Sequence, residues 1–181
     1  MGRARRRPIL AAILVVLVGA CAAPSAATPS ASAATPTAAP SEVVWTRIDA
    51  GTYSIEFPGT PQDLEQGGAR LLQLGASDDP VVYQAAAVEL EPELVAQRGI
   101  EGSFDRFQGG MLEGTTQEVL SQNSVRLDGV PGRRLVIRHR RGAVEVRLYL
   151  KGSRLFFLQT IVAPGLRSNT DRFFDSFRIS D

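Results

Sequence analysis

The stretch LVIRHRRGAVEVRLYLKGSRLFFLQTIV, residues 135–162, decides the fold of this chain. Gly152-Ser153 lies between two apolar runs, which is typical of a two-residue β-hairpin turn with glycine at the first central position. Such a turn fixes the register of the strands on either side. Because side chains alternate between faces, the register predicts an apolar row on one face of a sheet. Its cross-strand pairs are Leu150 with Leu155, Leu148 with Phe157, Val146 with Gln159 and Val144 with Ile161.

The preceding hairpin is predicted to turn at Arg141-Gly142 and to extend the same sheet. This register places Leu135 opposite Leu148, Ile137 opposite Val146 and His139 opposite Val144, all on the face of the apolar row. On the other face it places Arg138 opposite Glu145 as a cross-strand ion pair. That face also carries apolar side chains, so we expect both faces to be covered. These side chains are Val136, Tyr149, Phe156, Leu158 and Val162.

Two segments predict helices that could cover the sheet. The first lies within residues 101–115, where Phe104, Phe107 and Met111 recur at helical spacing, and a shorter turn is predicted before it at Pro92 to Gln97. The adjacent Gly109 and Gly110 weaken this helix, and they either permit close packing or mark a kink.

The second helix is predicted near the C terminus. Ser168 is its expected N-cap, with Asp171 three residues later in an acidic variant of the capping box. Phe173, Phe174 and Phe177 then form an apolar patch at helical spacing, which we interpret as the buried side of a docking helix.

Apolar runs bounded by glycine and proline predict the remaining strands. They are Val43–Ile48, Tyr53–Phe57, Ala69–Leu74, Val81–Leu90 and Glu118–Leu127. The predicted fold class is therefore α+β, an antiparallel β-sheet covered by helices on both faces.

The N terminus predicts the location of the protein. Four arginines and an apolar run precede Leu17-Val18-Gly19-Ala20-Cys21, which matches the lipobox of a bacterial lipoprotein signal. The run is shorter than the roughly 20 apolar residues of a membrane-spanning helix. We therefore expect residues 1–20 to be a removed signal peptide and Cys21 to be acylated as a membrane anchor. The alternative is an ordinary secretory signal cut a few residues later, which would leave no anchor.

Composition divides the rest of the chain into a tether and one domain. Residues 21–41 are mostly Ala, Ser, Thr and Pro, which predicts a disordered tether, and residues 42–181 have the length of a single globular domain. Cys21 is the only cysteine, so its acylation would leave the domain without thiol chemistry.

The charges of the domain are unevenly spread. After removal of residues 1–20, the chain holds 16 basic and 19 acidic residues, a net charge of −3, which is not the profile of a nucleic-acid binder. Residues 42–118 hold 14 acidic and 4 basic residues, whereas residues 119–181 hold 5 acidic and 12 basic residues. Either the two halves neutralise each other in the fold, or the basic half forms a face for an anionic partner.

The residues that could carry chemistry are few. His139 is the only histidine and is predicted on the apolar row, and no Gly-x-Ser-x-Gly elbow occurs, so we expect no catalytic triad. One histidine and no free cysteine exclude the usual zinc sites, and we expect no metal and no cofactor. The acidic groups Glu89, Glu91, Glu93 and Asp78-Asp79 are interpreted as solvated surface.

A basic face is the strongest candidate site. Arg134, Arg138, Arg140 and Arg147 are predicted to share the face opposite Leu135. Guanidinium groups bind phosphate and carboxylate, so this face could take the anionic group of a partner.

Several motifs resemble one family. Tyr53-Ser54-Ile55-Glu56-Phe57-Pro58-Gly59-Thr60-Pro61, Gly129-Val130-Pro131-Gly132-Arg133, the Leu-Tyr-Leu strand at 148–150 and Phe173-Phe174-Asp175-Ser176-Phe177 are similar to the Mog1/PsbP-like group of bacterial secreted proteins and lipoproteins. The resemblance implies an antiparallel sheet between helices and accessory binding rather than one chemistry. Its motifs are structural, so it implies no catalytic residue.

These observations predict a membrane-anchored envelope lipoprotein that acts as a non-enzymatic binding or accessory module. Its partner would be a protein, a lipid or a glycan outside the cytoplasm, and not a nucleic acid. The alternative is a cell-envelope enzyme, hydrolase-like, with a carboxylate site that matches no known motif. The near absence of histidine and free cysteine favours the binding module.

Overall fold

The computed structural model describes residues 43–66, 68–76, 78–166 and 168–180. The predicted signal peptide, Cys21 and the predicted tether lie outside the described residues. The described residues form, in order, β1 (Thr46–Asp49), β2 (Tyr53–Phe57), β3 (Gln62–Gln66), β4 (Ala69–Leu74), β5 (Val81–Glu89), α1 (Pro92–Leu112), β6 (Glu118–Leu127), β7 (Val130–His139), β8 (Gly142–Lys151), β9 (Arg154–Val162), α2 (Thr170–Asp175) and β10 (Arg178–Ile179).

An antiparallel sheet dominates the fold, as predicted. Its seven strands lie in the order β3-β4-β5-β9-β8-β7-β6, and a smaller sheet has the order β1-β2-β10. The predicted β8–β9 hairpin is confirmed, since Leu150 pairs with Leu155 and Val146 with Gln159. Gly152 has a φ of +62°, the left-handed conformation that this turn requires of its first central residue.

The β7–β8 hairpin differs from the prediction by two residues. Its turn is Arg140-Arg141 instead of Arg141-Gly142, and His139 pairs with Gly142. Gly142 lies in β8 with a φ of +138°, where a Cβ atom would lie 1.9 Å from the carbonyl oxygen of Val162. Glycine is therefore required by the close approach of β9, and not by the turn.

This shift preserves the faces but changes the partners. Because side chains alternate with a period of two, a two-residue shift leaves every side chain of β7 on its predicted face. Leu135 now lies opposite Val146, and Ile137 opposite Val144. The predicted pair of Arg138 with Glu145 is wrong, since Val136 is the residue opposite Glu145.

One face of the large sheet packs against α1. Leu135, Leu148 and Phe157 are buried there beside Phe104 of the helix. The helix extends from the predicted shorter turn through the predicted helix and bends at Gly99, which has a φ of +70°. Gly109 and Gly110 neither pack closely nor mark the bend, because a Cβ atom at either would meet nothing within 4 Å.

The other face is covered by the small sheet together with α2. Tyr53, Ile55 and Phe57 of β2 are buried with Phe173 and Phe174 of α2. The prediction of helices on both faces is therefore confirmed only in part, because strands share the cover of this second face. A three-stranded sheet and a six-residue helix together bury the apolar side chains.

The ends and edges show three further differences from the prediction. Ser168 is not the cap of α2, because the carbonyl of Asn169 accepts the first helical hydrogen bond from Phe173 at 3.3 Å. The edge strand β3 was not predicted because its side chains lie largely exposed and show no apolar alternation. β10 is two residues long, too short for a periodic signal.

No helix in the described part of the chain is long and apolar enough to cross a membrane.

Candidate functional site

The structure divides the four predicted arginines into two pairs. Arg134 on β7 and Arg147 on β8 lie directly opposite each other and share Glu145. Arg134 donates from Nε and Nη2 to the two carboxylate oxygens at 2.8 and 2.6 Å, and Arg147 donates from Nε at 3.0 Å. This bidentate arrangement already occupies the carboxylate-binding edge of Arg134.

The charges of Arg134, Arg147 and Glu145 act mainly on one another. Burial raises the pKa of Glu145, but the hydrogen bonds from Arg134 and Arg147 outweigh that effect and hold the pKa below its usual value. Arg147 also stacks over Phe174, with the guanidinium carbon 4.2 Å from the ring centre. Arg147 therefore helps to attach α2 to the sheet, and Glu145 neutralises part of the charge of both arginines.

The second pair lies at the turn end of the β7–β8 hairpin. The side chain of Arg138 is 68% exposed. It forms an ion pair with Glu118 at 3.2 Å, but Glu118 is also exposed, so the pair contributes little to stability. The exposed Arg140 forms no hydrogen bond or ion pair with any described residue. Arg141, next to it, donates a guanidinium hydrogen bond to the backbone carbonyl of Asp79. We call Arg138, Arg140 and Arg141 the basic tip.

His139 lies beneath the basic tip. It is 8% exposed, and its Nδ1 atom accepts a hydrogen bond from the backbone N–H of Arg141 at 3.2 Å. The proton of the neutral ring is therefore on Nε2. Burial lowers the pKa of His139, and the charges of Arg140 and Arg141 lower it further.

A small cavity adjoins His139. Its volume is about 10 Å³, which is room for about one water molecule. The lining is mostly apolar, with a few side-chain amide and imidazole groups, and comes from α1, the segment before β6, and strands β7 to β9. It consists of Met111, Gln117, Ile137, His139, Val144, Gln159 and Ile161.

A chain of glutamines leads away from this cavity. Gln73, Gln84 and Gln159 lie opposite one another on β4, β5 and β9. Gln159 donates to Gln84 at 3.0 Å, Gln84 to Gln73 at 2.7 Å, and Gln73 to the carbonyl of Gly75 at 2.9 Å. The chain was not predicted, because it depends on β5 lying between β4 and β9. This chain provides a hydrogen-bond partner for the side-chain amide of Gln159, which is buried.

Arg133 is a further residue that the sequence did not single out. Its side chain is 5% exposed and forms ion pairs with Glu101 and Asp105 of α1, both at 2.7 Å. Burial lowers the pKa of Arg133, but the hydrogen bonds to these two carboxylates outweigh that effect and raise it. The guanidinium also lies over the ring of Phe104. Arg133 therefore attaches α1 to the sheet.

Ion pairs join the acidic and basic halves of the domain. In each of them an acidic residue of the first half meets an arginine of the second, so much of the charge asymmetry is neutralised locally. They are Glu101 and Asp105 with Arg133, Glu118 with Arg138, Glu89 with Arg154, and Glu56 with Arg172.

Two of the candidate carboxylates, Glu89 and Asp79, serve local structure. Glu89 accepts hydrogen bonds from Ser153 and, at 3.0 Å, from Arg154. Asp79 accepts one from the backbone N–H of Ala76 at 2.7 Å. Across residues 43–66, 68–76, 78–166 and 168–180, no group of three or more His, Cys, Asp or Glu side chains could hold a metal ion.

Comparisons with known proteins identify the fold alone. No protein-family model matches the sequence, and no curated protein matches it. The solution structure of cyanobacterial PsbP (CyanoP) from Synechocystis superposes with a TM-score of 0.51 at 12% sequence identity, over 82% of this chain and 98% of CyanoP. A crystal structure from Bacteroides thetaiotaomicron matches 72% of this chain and 46% of its own, at 11% identity and a TM-score of 0.33. The first of these supports a PsbP-like fold.

Proposed function

We propose that this chain is a lipid-anchored protein of the bacterial envelope that acts as a non-enzymatic accessory module, with the basic tip as its partner-binding surface. The observation that carries the proposal is the division of the predicted arginines. Arg134 and Arg147 form ion pairs with Glu145, whereas the side chains of Arg138 and Arg140 are exposed to solvent at the turn of the hairpin. A guanidinium that is free of a buried carboxylate can form charge-assisted hydrogen bonds with a partner.

The partner that fits the basic tip best is a protein with an exposed carboxylate cluster. The tip is small, and Glu118 and Asp79 lie within it beside the arginines. A flat anionic lipid surface would meet these carboxylates as well as the arginines, whereas a protein can place its acidic side chains against the arginines alone.

Three observations support binding over catalysis. The single histidine holds a turn, and the cavity beside it has room for about one water molecule. The candidate carboxylates Glu89 and Asp79 accept hydrogen bonds from a nearby arginine and a nearby turn. The resemblance to the Mog1/PsbP-like group agrees, since it implies accessory binding. The anchor is supported by the lipobox that ends at Cys21.

Loss of the anchor is the expected result of Cys21→Ser. Serine cannot form the thioether, so the variant should move from the membrane fraction to the soluble fraction, because stable attachment needs two acyl chains. Fractionation of cells that express the full-length chain measures this directly. Ser25→Ala, four residues away in the tether, is the matched control and should remain with the membrane. A Cys21→Ser protein that fractionates with the membrane like the control would refute the anchor.

Loss of partner capture is the expected result of reversing the tip charges. Crosslinking of the full-length chain in its native membrane identifies the partner by mass spectrometry. The double variant Arg138→Glu, Arg140→Glu should lower that capture at least about tenfold, because it sets like charges against the carboxylates of the partner.

The matched control for this experiment is Arg126→Glu. Arg126 is also exposed but lies eight residues along β6 from the partner of Arg138, roughly 26 Å at the rise of a β-strand. The Arg126→Glu variant should capture as much partner as the wild type. Equal capture by the double variant and the control would show that the tip is not the binding surface. Crosslinks to lipid headgroups alone would show that the partner is not a protein.

A further inference from the structure

We propose that His139 is a pH-sensitive positioning residue, which holds the Arg140-Arg141 turn when neutral and releases it when protonated. The inference rests on the proposed function, because the turn carries two of the three arginines of the basic tip. It adds regulation to that surface: the tip would be ordered for its partner at neutral pH and disordered in an acidified envelope.

The geometry of the turn makes the neutral ring necessary. The Nδ1 atom of His139 accepts the backbone N–H of Arg141, two residues later, at 3.2 Å. An imidazolium ring carries a proton on both nitrogens, so it offers no acceptor. Protonation would therefore replace this hydrogen bond with two N–H groups facing each other. The side chain is 8% exposed on the buried face of the sheet, so it has little room to turn away.

The surroundings of His139 disfavour its positive charge. Arg140 and Arg141 of its own turn are the charged groups that act on it. The side chains that line the adjoining cavity are neutral: Met111 of α1, Gln117 before β6, Ile137 of β7, Val144 of β8, and Gln159 and Ile161 of β9. Nearby Glu118 is paired with Arg138, and Asp79 accepts the N–H of Ala76. No described carboxylate forms an ion pair with the imidazole to compensate for its charge.

The direction of the pH dependence follows from the lowered pKa. Burial, and then the two arginines, lower the pKa of His139 below its ordinary value of 6.5. In the range between the two values the unfolded turn binds more protons than the folded turn. The contribution of His139 to the stability of the turn is thus fully present above pH 6.5 and is lost as the pH falls through the folded pKa.

The other attachment of the turn does not replace this hydrogen bond. Arg141 also donates to the carbonyl of Asp79, but it does so through the end of a long side chain. The strand pair of His139 with Gly142 closes the turn from outside, and the bond to the His139 ring holds the backbone N–H of Arg141 within it. An ordered turn loses less conformational entropy when it binds, so release of the turn should weaken capture of the partner.

The test follows the single histidine and the turn together by NMR. His139 is the only histidine, so the ring signals of the full chain in detergent micelles belong to it alone. As the pH is lowered from about 8 to well below the ordinary value of 6.5, the ring should titrate, and the backbone amide of Arg141 should shift with the same midpoint as it loses its acceptor. A ring that titrates while the Arg141 amide stays unchanged would overturn the inference.

Two variants separate the acceptor from the ring. His139→Asn keeps a side-chain oxygen that can accept the N–H two residues later, as in an Asx turn, but it does not titrate. Its turn should stay ordered over the whole pH range. His139→Phe keeps the ring without the acceptor, and its turn should be mobile at every pH. If the phenylalanine variant does not fold, a pH-dependent Arg141 amide in the asparagine variant is still sufficient to overturn the inference.

Partner capture distinguishes this inference from the proposed function. Capture by the wild type should fall about tenfold or more as the pH is lowered through the midpoint of the His139 titration, whereas capture by His139→Asn should stay constant. If the turn responds to pH but charge reversal of the tip leaves capture unchanged, the proposed binding surface is wrong and the switch stands. If tip charge reversal abolishes capture but wild type and His139→Asn respond equally to pH, the switch is wrong and the surface stands.

Discussion

Replacement of Phe177 by alanine is expected to lower the free energy of unfolding by about 3 to 5 kcal/mol. Phe177 follows α2 and is 1% exposed. Its ring lies 5.6 Å from that of Tyr53 and 5.8 Å from those of Tyr149 and Phe156, so it joins the small sheet to the large one. Truncation would leave a cavity between the sheets and remove these three aromatic contacts, and the figure of about 3 to 5 kcal/mol includes both losses. Equilibrium unfolding in denaturant measures the loss.

The control for this variant is Leu120→Ala. Leu120 is also a large apolar residue, but it is 47% exposed at the irregularity of the edge strand β6. Its truncation should change the free energy of unfolding by no more than about 0.5 kcal/mol. If Phe177→Ala is as stable as Leu120→Ala, then the packing of α2 and β2 against the large sheet is not as described.

Gly142→Ala is expected to destabilise the protein by about 3 kcal/mol or more, from two separate causes. The φ of +138° is one that side chains with a Cβ rarely adopt. In addition, the new Cβ would lie 1.9 Å from the carbonyl oxygen of Val162, which is part of the backbone and cannot rotate away. The strands β8 and β9 would have to separate at this end. Thermal or denaturant unfolding measures the effect.

Gly152→Ala is the matched control because it shares only one of these causes. Gly152 also has a positive φ, +62°, but a Cβ atom there would meet nothing within 4 Å. Its substitution should therefore cost only the backbone strain, about 1 to 2 kcal/mol. The comparison also tests the register. If both variants lose the same stability, Gly142 lies in an open turn, as the sequence alone predicted.

The faces of the sheet were predictable from local pattern. The Gly152-Ser153 turn placed Leu148 and Phe157 on one face, and the predicted turn at Arg141-Gly142 added Leu135 to it. The structure buries all three there. A two-residue error in the neighbouring hairpin did not disturb this result, because the period of a strand is two. Phe173 and Phe177 were correctly identified as core from their spacing, but Phe177 follows the end of α2 and is not part of the predicted helix.

The candidate site was predictable only as a set of residue types. The sequence grouped four arginines on one face, but it did not show that Glu145 binds two of them. The predicted partner of Glu145 was Arg138, and the register shift gave it Arg134 instead. An ion pair depends on a distance of a few ångströms, so an error that leaves the face unchanged can still exchange the partner.

By itself, the sequence determined which side chains share a face and where the β8–β9 hairpin turns. Alternation and turn chemistry act within a few residues, so they can be read along the chain. Only the tertiary structure decided that Gly142 serves the approach of β9, that Arg133 binds the carboxylates of α1, and that the small sheet shares the cover of one face with α2. These contacts join residues far apart in sequence, and they depend on strand order and helix placement, which packing of the whole core sets.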